Sequence, residues 1–202
     1  MQGRYSGAAI YAMEVVARVF VLFNYTVADN ELFYSDSTFK KECNQKGLFP
    51  ALDNLKEMYR ARNASRMRPN EMEMYGYQKI LMMGHWFPGT TWGVQKTQLA
   101  QFLASEQWCD SVATAHNERF VRFFRALSSN RYTKFYKEVA AADVSFLEAC
   151  LLSGTFYQVR VKQLQALNVS SDRSDKYTVS ELTALMNFDD DVQTLRFVDH
   201  FV

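Results

Sequence analysis

Glycine and proline are scarce, with eight Gly and three Pro in 202 residues. A chain that reverses at every strand needs more of both, so an all-α fold is expected. Cysteine is equally sparse: Cys43, Cys109 and Cys150 are odd in number, far apart and without a C-x-x-C pair or ligand-spaced histidine. That excludes a disulfide framework and a zinc site. No excess of one charge exists either, since 23 Lys and Arg stand against 22 Asp and Glu. A net charge of +1 creates no global field for nucleic acid or membrane, so any charged interface must be local. The most apolar stretch, Ala8 to Phe23, is broken by Glu14 and Arg18, which a signal core or membrane span would not carry. Three glycosylation patterns, at Asn24, Asn63 and Asn168, therefore lack a secretory context, and an intracellular protein is expected. What remains is 48% hydrophobic and 22% charged residues in a length suited to one domain, which excludes disorder and low complexity.

Helical spacing runs through nearly every segment. Ile10, Met13, Ala17, Phe20, Val21 and Asn24 form one stripe. Ser35 and Asp36 as caps and Gly47 as a stop predict a short helix over Ser37 to Lys46. Leu48, Leu52, Leu55 and Tyr59 mark the next. Pro69, with Glu71 and Glu73 as helix-start acids, predicts another that ends near Gly84. Gly84 to Gly93 reads as a loop and a natural seam; its partial phosphate-loop pattern carries Thr90 where the lysine belongs and is set aside.

Arg119 to Leu127 returns twelve residues later as Arg131 to Val139, across a Ser128-Ser129-Asn130 turn. At about 100° per residue, Phe120, Phe123, Phe124 and Leu127 face inward, and Arg119, Arg122 and Arg125 roughly opposite, toward water. A seam from Leu147 through Gly154 to Leu167 predicts one long, bent helix. After Asn168, Ser180 is the expected cap of a helix over Glu181 to Asn187. Asp189-Asp190-Asp191 opens a second, and together they outline a helix-turn-helix.

These residues resemble a known family, the Sac-three/GANP domain, scaffold of the nuclear messenger-RNA export complex TREX-two. The resemblance rests on Tyr11-Ala-Met-Glu14-Val-Val-Ala-Arg18, on Leu55-Lys-Glu-Met-Tyr59, and on Asn70-Glu71-Met72-Glu73-Met74-Tyr75-Gly76-Tyr77. It continues through Asn130 to Tyr136, Ala149 to Leu152, Val159-Arg160 and Ala166-Leu167-Asn168, in order along nearly the whole chain. It implies stacked antiparallel helical repeats, PCI-like and TPR-like, over residues 1–168, then a partial winged helix over 169–202. The family's arginine-rich opening helix is not found before Tyr11, and the strands of the wing do not precede Val202, so an excerpt, a truncated form or a short relative is expected. The implied partners are a PCI-domain protein and a small acidic protein of the Dss-one/Sem-one type. The implied location is the nucleus and its pores, with splicing-linked complexes or the centrosome and spindle, or the cytoplasm, as alternatives.

No catalytic constellation is legible. His85, His116 and His200 lie beside no nucleophile or acid in a known spacing, and Glu71 and Glu73 diverge by about 200° on a helix. Met72, Met74, Met82 and Met83 fit irregular core gaps. No enzyme, cofactor or metal is expected.

Charge is nevertheless partitioned: Val112 to Asn168 carries eight Lys or Arg against four Asp or Glu, and Val169 to Val202 three against seven. Arg122, Arg125, Lys134, Lys137, Arg160 and Lys162 are the candidate RNA-binding set, contacting phosphates without reading bases. Phe120 and Tyr132 are committed to the interior and are poor base platforms. Phe197, Phe201 and Val202 are the candidate partner-binding residues, expected exposed. A DNA-reading role ranks low, because Asp189, Asp190 and Asp191 occupy the end that would approach phosphates.

Overall fold

A computed structural model of the chain describes residues 5–28, 44–61, 69–86, 111–170 and 176–200. Among them the secondary structure is helical, with no strand. The helices are α1 (Gly7–Ala28), α2 (Phe49–Ala61), α3 (Pro69–Trp86), α4 (Ser111–Ser128), α5 (Tyr132–Val139), α6 (Phe146–Ser153), α7 (Phe156–Ser170), α8 (Val179–Met186) and α9 (Asp191–Asp199). The stripe of α1 is the core stripe expected: Ile10, Ala17 and Val21 are buried where α1 packs on α2 and α6. By length and composition α1 could also cross a membrane, but Glu14 and Arg18 on its inner side bond to α2 and α3.

Those bonds form two polar knots at the junction of α1, α2 and α3. Glu14 accepts from the Tyr59 hydroxyl at 2.7 Å and from Asn70 Nδ2 at 2.7 Å. Glu73 takes a two-pronged contact from Arg18, Nε at 3.0 Å and Nη2 at 2.5 Å, and also accepts from the Tyr77 hydroxyl. Burial first, then the hydrogen bond to a carboxylate, pushes both phenols well above the ordinary tyrosine range. Glu73 is thus no helix-start acid: the knot satisfies buried groups that would otherwise each cost about 1–3 kcal/mol.

Rings make the second half of the core. Phe120, Phe123 and Phe135 are fully buried, and edge-to-face contacts run from Phe120 to Phe123 at 6.0 Å, Phe123 to Phe135 at 6.4 Å and Phe135 to Phe156 at 6.1 Å. The repeated sequence therefore builds two helices, α4 and α5, that share one aromatic interior. Between them Asn130 takes a left-handed conformation at φ 56°, which Asn tolerates better than most residues. Met74 and Met83 are buried in the same core, with Met82 packed against it.

Three expectations are corrected here. Gly47 does not stop a helix: Asn44–Leu48 is a π-helical turn that runs directly into α2. A Cβ at Gly47 would lie 2.6 Å from the Phe20 ring, so the residue is small because α1 passes close by. The rest of the helix expected over Ser37 to Lys46 lies outside the described residues, as does most of the Gly84 to Gly93 loop. The long helix through Gly154 is two. The Gly154 and Thr155 amides reach back three residues instead of four, to Leu151 and Leu152, and the Thr155 hydroxyl takes the Leu152 carbonyl as well, which tightens the turn and breaks the rod. Thr178, not Ser180, caps α8, in a reciprocal capping box with Glu181, while Ser180 donates to Asp191 at the start of α9. Asp190 caps α9, as the acidic run suggested.

Candidate functional site

The six basic residues singled out from sequence do not form one row. Arg122 is half-buried, its Nε on Glu138 at 2.9 Å and its Nη2 on Asp143 at 2.6 Å. The Asp143 bond raises the guanidinium and holds the Asp143 carboxyl below the usual carboxylate range. Arg160 donates to the Met186 and Asn187 carbonyls and lies 3.7 Å from the Phe188 ring centroid, clamping the end of α8 onto α7. Lys162 is half-buried on α7. Arg125, Lys134 and Lys137 are exposed, Lys134 with Glu138 3.9 Å away.

Arg119 departs furthest from the expected outward face. It is buried, with Nη2 on Glu148 Oε1 at 2.8 Å, and it also donates to the Asp143 carbonyl. The physical reason is helical drift: residues three apart on a helix advance about 300°, so Arg119, Arg122 and Arg125 progress steadily around α4 from inside to outside. Only the last is fully in water. Sequence reasoning missed Arg131, which is exposed at the start of α5 and extends the accessible group to Arg125, Arg131, Lys134 and Lys137. Its place in the repeat, matching Arg119, was the available signal.

The terminal pair α8 and α9 packs on itself and against α5. Thr183 Oγ1 and Thr194 Oγ1 meet at 2.7 Å, and Asp191 accepts from Ser180 at 2.8 Å and Thr183 at 2.7 Å. Bonds to Thr183 and then Ser180 lower the Asp191 pKa; bonds to Thr178 lower that of Glu181. Phe197 is not the exposed anchor expected. Its ring lies edge-on to Tyr157 at 5.8 Å and tilted against Phe188 at 5.3 Å, so it ties α9 to α7. Phe201 and Val202 lie outside the described residues. Val192 and Leu195 are the apolar side chains that α9 does expose.

Among the described residues no three His, Cys, Asp or Glu side chains come together to hold a metal ion. The depression lined by Leu52, Lys56, Tyr59, Met74, Tyr75 and Gln78 encloses only about 160 Å³, below the size of ordinary ligand sites. His200 caps the C-terminal end of α9, and of the His85 and His116 side chains nothing is described. Cys150 is buried, and burial pushes its thiol up, away from nucleophilic use.

Fold and surface together describe an all-helical chain in which buried and half-buried charges tie helix junctions while a basic group on α4 and α5 stays exposed. The chain belongs to the SAC3/GANP family, whose model matches residues 1–202. Family members act in nuclear messenger-RNA export. The protein called Protein xmas of Drosophila melanogaster is 28% identical over 171 residues, covering 82% of this chain and 8% of that protein. The chain thus spans less than a tenth of that relative's length. No solved structure matches it.

Proposed function

We propose that the chain is the helical core of a non-catalytic scaffold in a TREX-two-like messenger-RNA export complex. The observation that carries this reading is the family match along all 202 residues of a chain built as stacked helices. Its work is positional: one surface holds a PCI-domain subunit with its small acidic companion, and the complex sits in the nucleus, at the pores. Residues 1–168 serve as the helical-repeat body, and α8 with α9 as the helical part of a winged helix. On that module the exposed Val192 and Leu195, rather than Phe197, are the apolar residues available to a partner.

RNA contact, in this reading, falls on Arg125, Lys134 and Lys137 with Arg131 beside them, because Arg122 and Arg160 already serve internal carboxylates and carbonyls. Lys162 flanks the set. Binding is phosphate-led and blind to sequence. A single-stranded site of three to four contacts gives a log–log salt slope of roughly −2 to −3. The triple charge reversal Arg125→Glu, Lys134→Glu and Lys137→Glu abolishes RNA retention, whereas binding that does not change between low and physiological salt removes the phosphate cradle. For the scaffold itself, affinity purification of the tagged chain from its own cells recovers a PCI-domain protein in stoichiometric amount; recovery of the chain alone counts against it.

A further inference from the structure

The pair α8 and α9 is well bonded within itself. Thr178 and Glu181 cap α8, Asp190 caps α9, the Thr183 and Thr194 hydroxyls meet between the two helices, and the Phe188 ring lies against Phe197. Its hold on the body runs through the end of α8. Three successive carbonyls there, where the helix dipole is negative, are met by two side chains of α7. Gln163 Nε2 donates to Leu185 at 2.8 Å, Arg160 Nε to Met186 at 3.0 Å, and Arg160 Nη2 to Asn187. Met186 is fully buried, and Tyr157 of α7 sits edge-on to Phe197 at 5.8 Å.

That seam leaves polar groups unsatisfied. The Tyr136 hydroxyl on α5 and Gln163 Oε1 on α7 are buried without a hydrogen-bond partner, their residues 4% and 6% exposed. The Tyr136 ring and the Arg160 guanidinium share the Phe156 ring, at 5.3 and 5.6 Å, and α8 packs on α5, so these groups belong to one place under the end of α8. Docking there forfeits the hydration of two polar atoms, and lifting α8 and α9 restores it. The arginine meanwhile donates Nε and Nη2 to two oxygens, the geometry in which a guanidinium takes a phosphate. We propose that the end of α8 occupies a phosphate-binding site made by Arg160, the Tyr136 hydroxyl and the Gln163 amide, and that α8 with α9 lifts away when an RNA backbone phosphate takes it. The contact is therefore autoinhibitory. Asp189, Asp190 and Asp191 follow the clamped Asn187 and Phe188 directly and are exposed, so the docked pair meets an incoming phosphate with like charge. Lys137 beside Tyr136, and Lys162 two residues beyond Arg160, supply further cations once it opens. This rests on the RNA reading above and adds to it a closed state in which Arg160 is withheld.

Hydrogen exchange of the full chain, with and without saturating oligouridylate, tests this. Because opening and binding are linked, RNA speeds amide exchange in α8 and α9 about tenfold while α5 and α7 keep their protection. A ligand that merely bound the closed chain would slow exchange or leave it alone. Affinity gives a second readout. Tyr157→Ser removes an edge-to-face contact that holds the pair down but no member of the proposed site, and apparent affinity follows the open fraction, so oligouridylate binds about tenfold tighter. Adding Arg160→Ala cancels that gain although it loosens the pair further. Circular dichroism of each variant matches the parent outside α8 and α9. Exchange in α8 and α9 that RNA slows or leaves unchanged, or Tyr157→Ser binding no tighter than the parent, overturns the inference and leaves the RNA reading standing. Retention of oligouridylate by neither the parent nor Tyr157→Ser at low salt removes both.

Discussion

Replacing Arg119 by Ala separates the interior reading of this residue from the surface reading that its sequence spacing suggests. The Arg119 and Glu148 side chains are 11% and 3% exposed, and their charges meet at 2.8 Å. Glu148 spends its other oxygen on the Ser145 amide at 2.8 Å, capping α6. Removing Arg119 leaves that carboxylate buried without its cation and takes a donor from the Asp143 carbonyl. Loss of one member of a buried pair costs about 3–5 kcal/mol, a large part of the roughly 5–15 kcal/mol that holds a domain folded. With a urea slope near 3 kcal/mol per molar, at the upper end for a chain of this size, the midpoint falls by roughly 1–2 M. Arg122→Ala is the control. Its pair with Asp143 is 39% and 49% exposed, and such pairs are worth about 0.2–1 kcal/mol, although the better-buried Glu138 adds to that. Arg119→Met combined with Glu148→Met recovers most of the loss, short of about 1 kcal/mol for the cap. Urea unfolding followed by circular dichroism decides: an Arg119→Ala penalty no larger than that of Arg122→Ala refutes the buried pair.

Other junctions yield their own expectations. Arg160→Ala removes charged hydrogen bonds to the Met186 and Asn187 carbonyls, worth about 2 kcal/mol, so amides of α8 and α9 exchange roughly thirtyfold faster while α4 and α5 are unchanged; hydrogen exchange by mass spectrometry finds equal protection if the clamp is not real. Glu181 and Asp191 have lowered pKa values in the folded chain, so their contribution is complete above the unfolded carboxylate values near 4 and is lost as pH falls through the lower folded values. Carbon-detected carboxyl titration should give midpoints below those of free peptides, and Thr183→Val should return Asp191 toward the ordinary range; ordinary midpoints in the parent chain contradict the capping geometry. At the alkaline end, the raised pKa values of Tyr59 and Tyr77 hold their protons in the folded state after the unfolded chain has lost them. Stability then declines as pH rises beyond about 10. Tyr59→Phe with Tyr77→Phe flattens that decline, and an unchanged alkaline profile rules the knots out as its source.

Much of the stack was legible because apolar periodicity reports burial directly. The stripe of α1, the Leu48 to Tyr59 face and the paired aromatic helices all went where three-and-four spacing placed them. Charge was harder to read. A basic residue every three positions looks like a row in sequence, but the drift of the helix carries Arg119 inside and Arg125 outside, and the acids that claim the inner arginines, Glu138, Asp143 and Glu148, come from later elements. Nothing local announces such pairing. Glu73 misled for the same reason: its position about one turn into the helix suggested a dipole partner, and its actual partner is 55 residues earlier. The apolar seam through Gly154 predicts one continuous helix, yet the Thr155 hydroxyl, which periodicity does not register, is part of what breaks the helix there. Phe197 looks free in sequence because its ring partners, Tyr157 at the start of α7 and Phe188 in the turn before α9, come from earlier in the chain.

A scaffold must assemble with another protein. Co-expression of the chain with a PCI-domain subunit and a small acidic protein from the same cells, followed by light-scattering mass measurement on the eluted peak, is the direct measurement. One peak containing all three chains, whose mass drops on Val192→Asp with Leu195→Asp, is the expected result. Separate peaks at the masses of the isolated chains, with the stack correctly folded, contradict it.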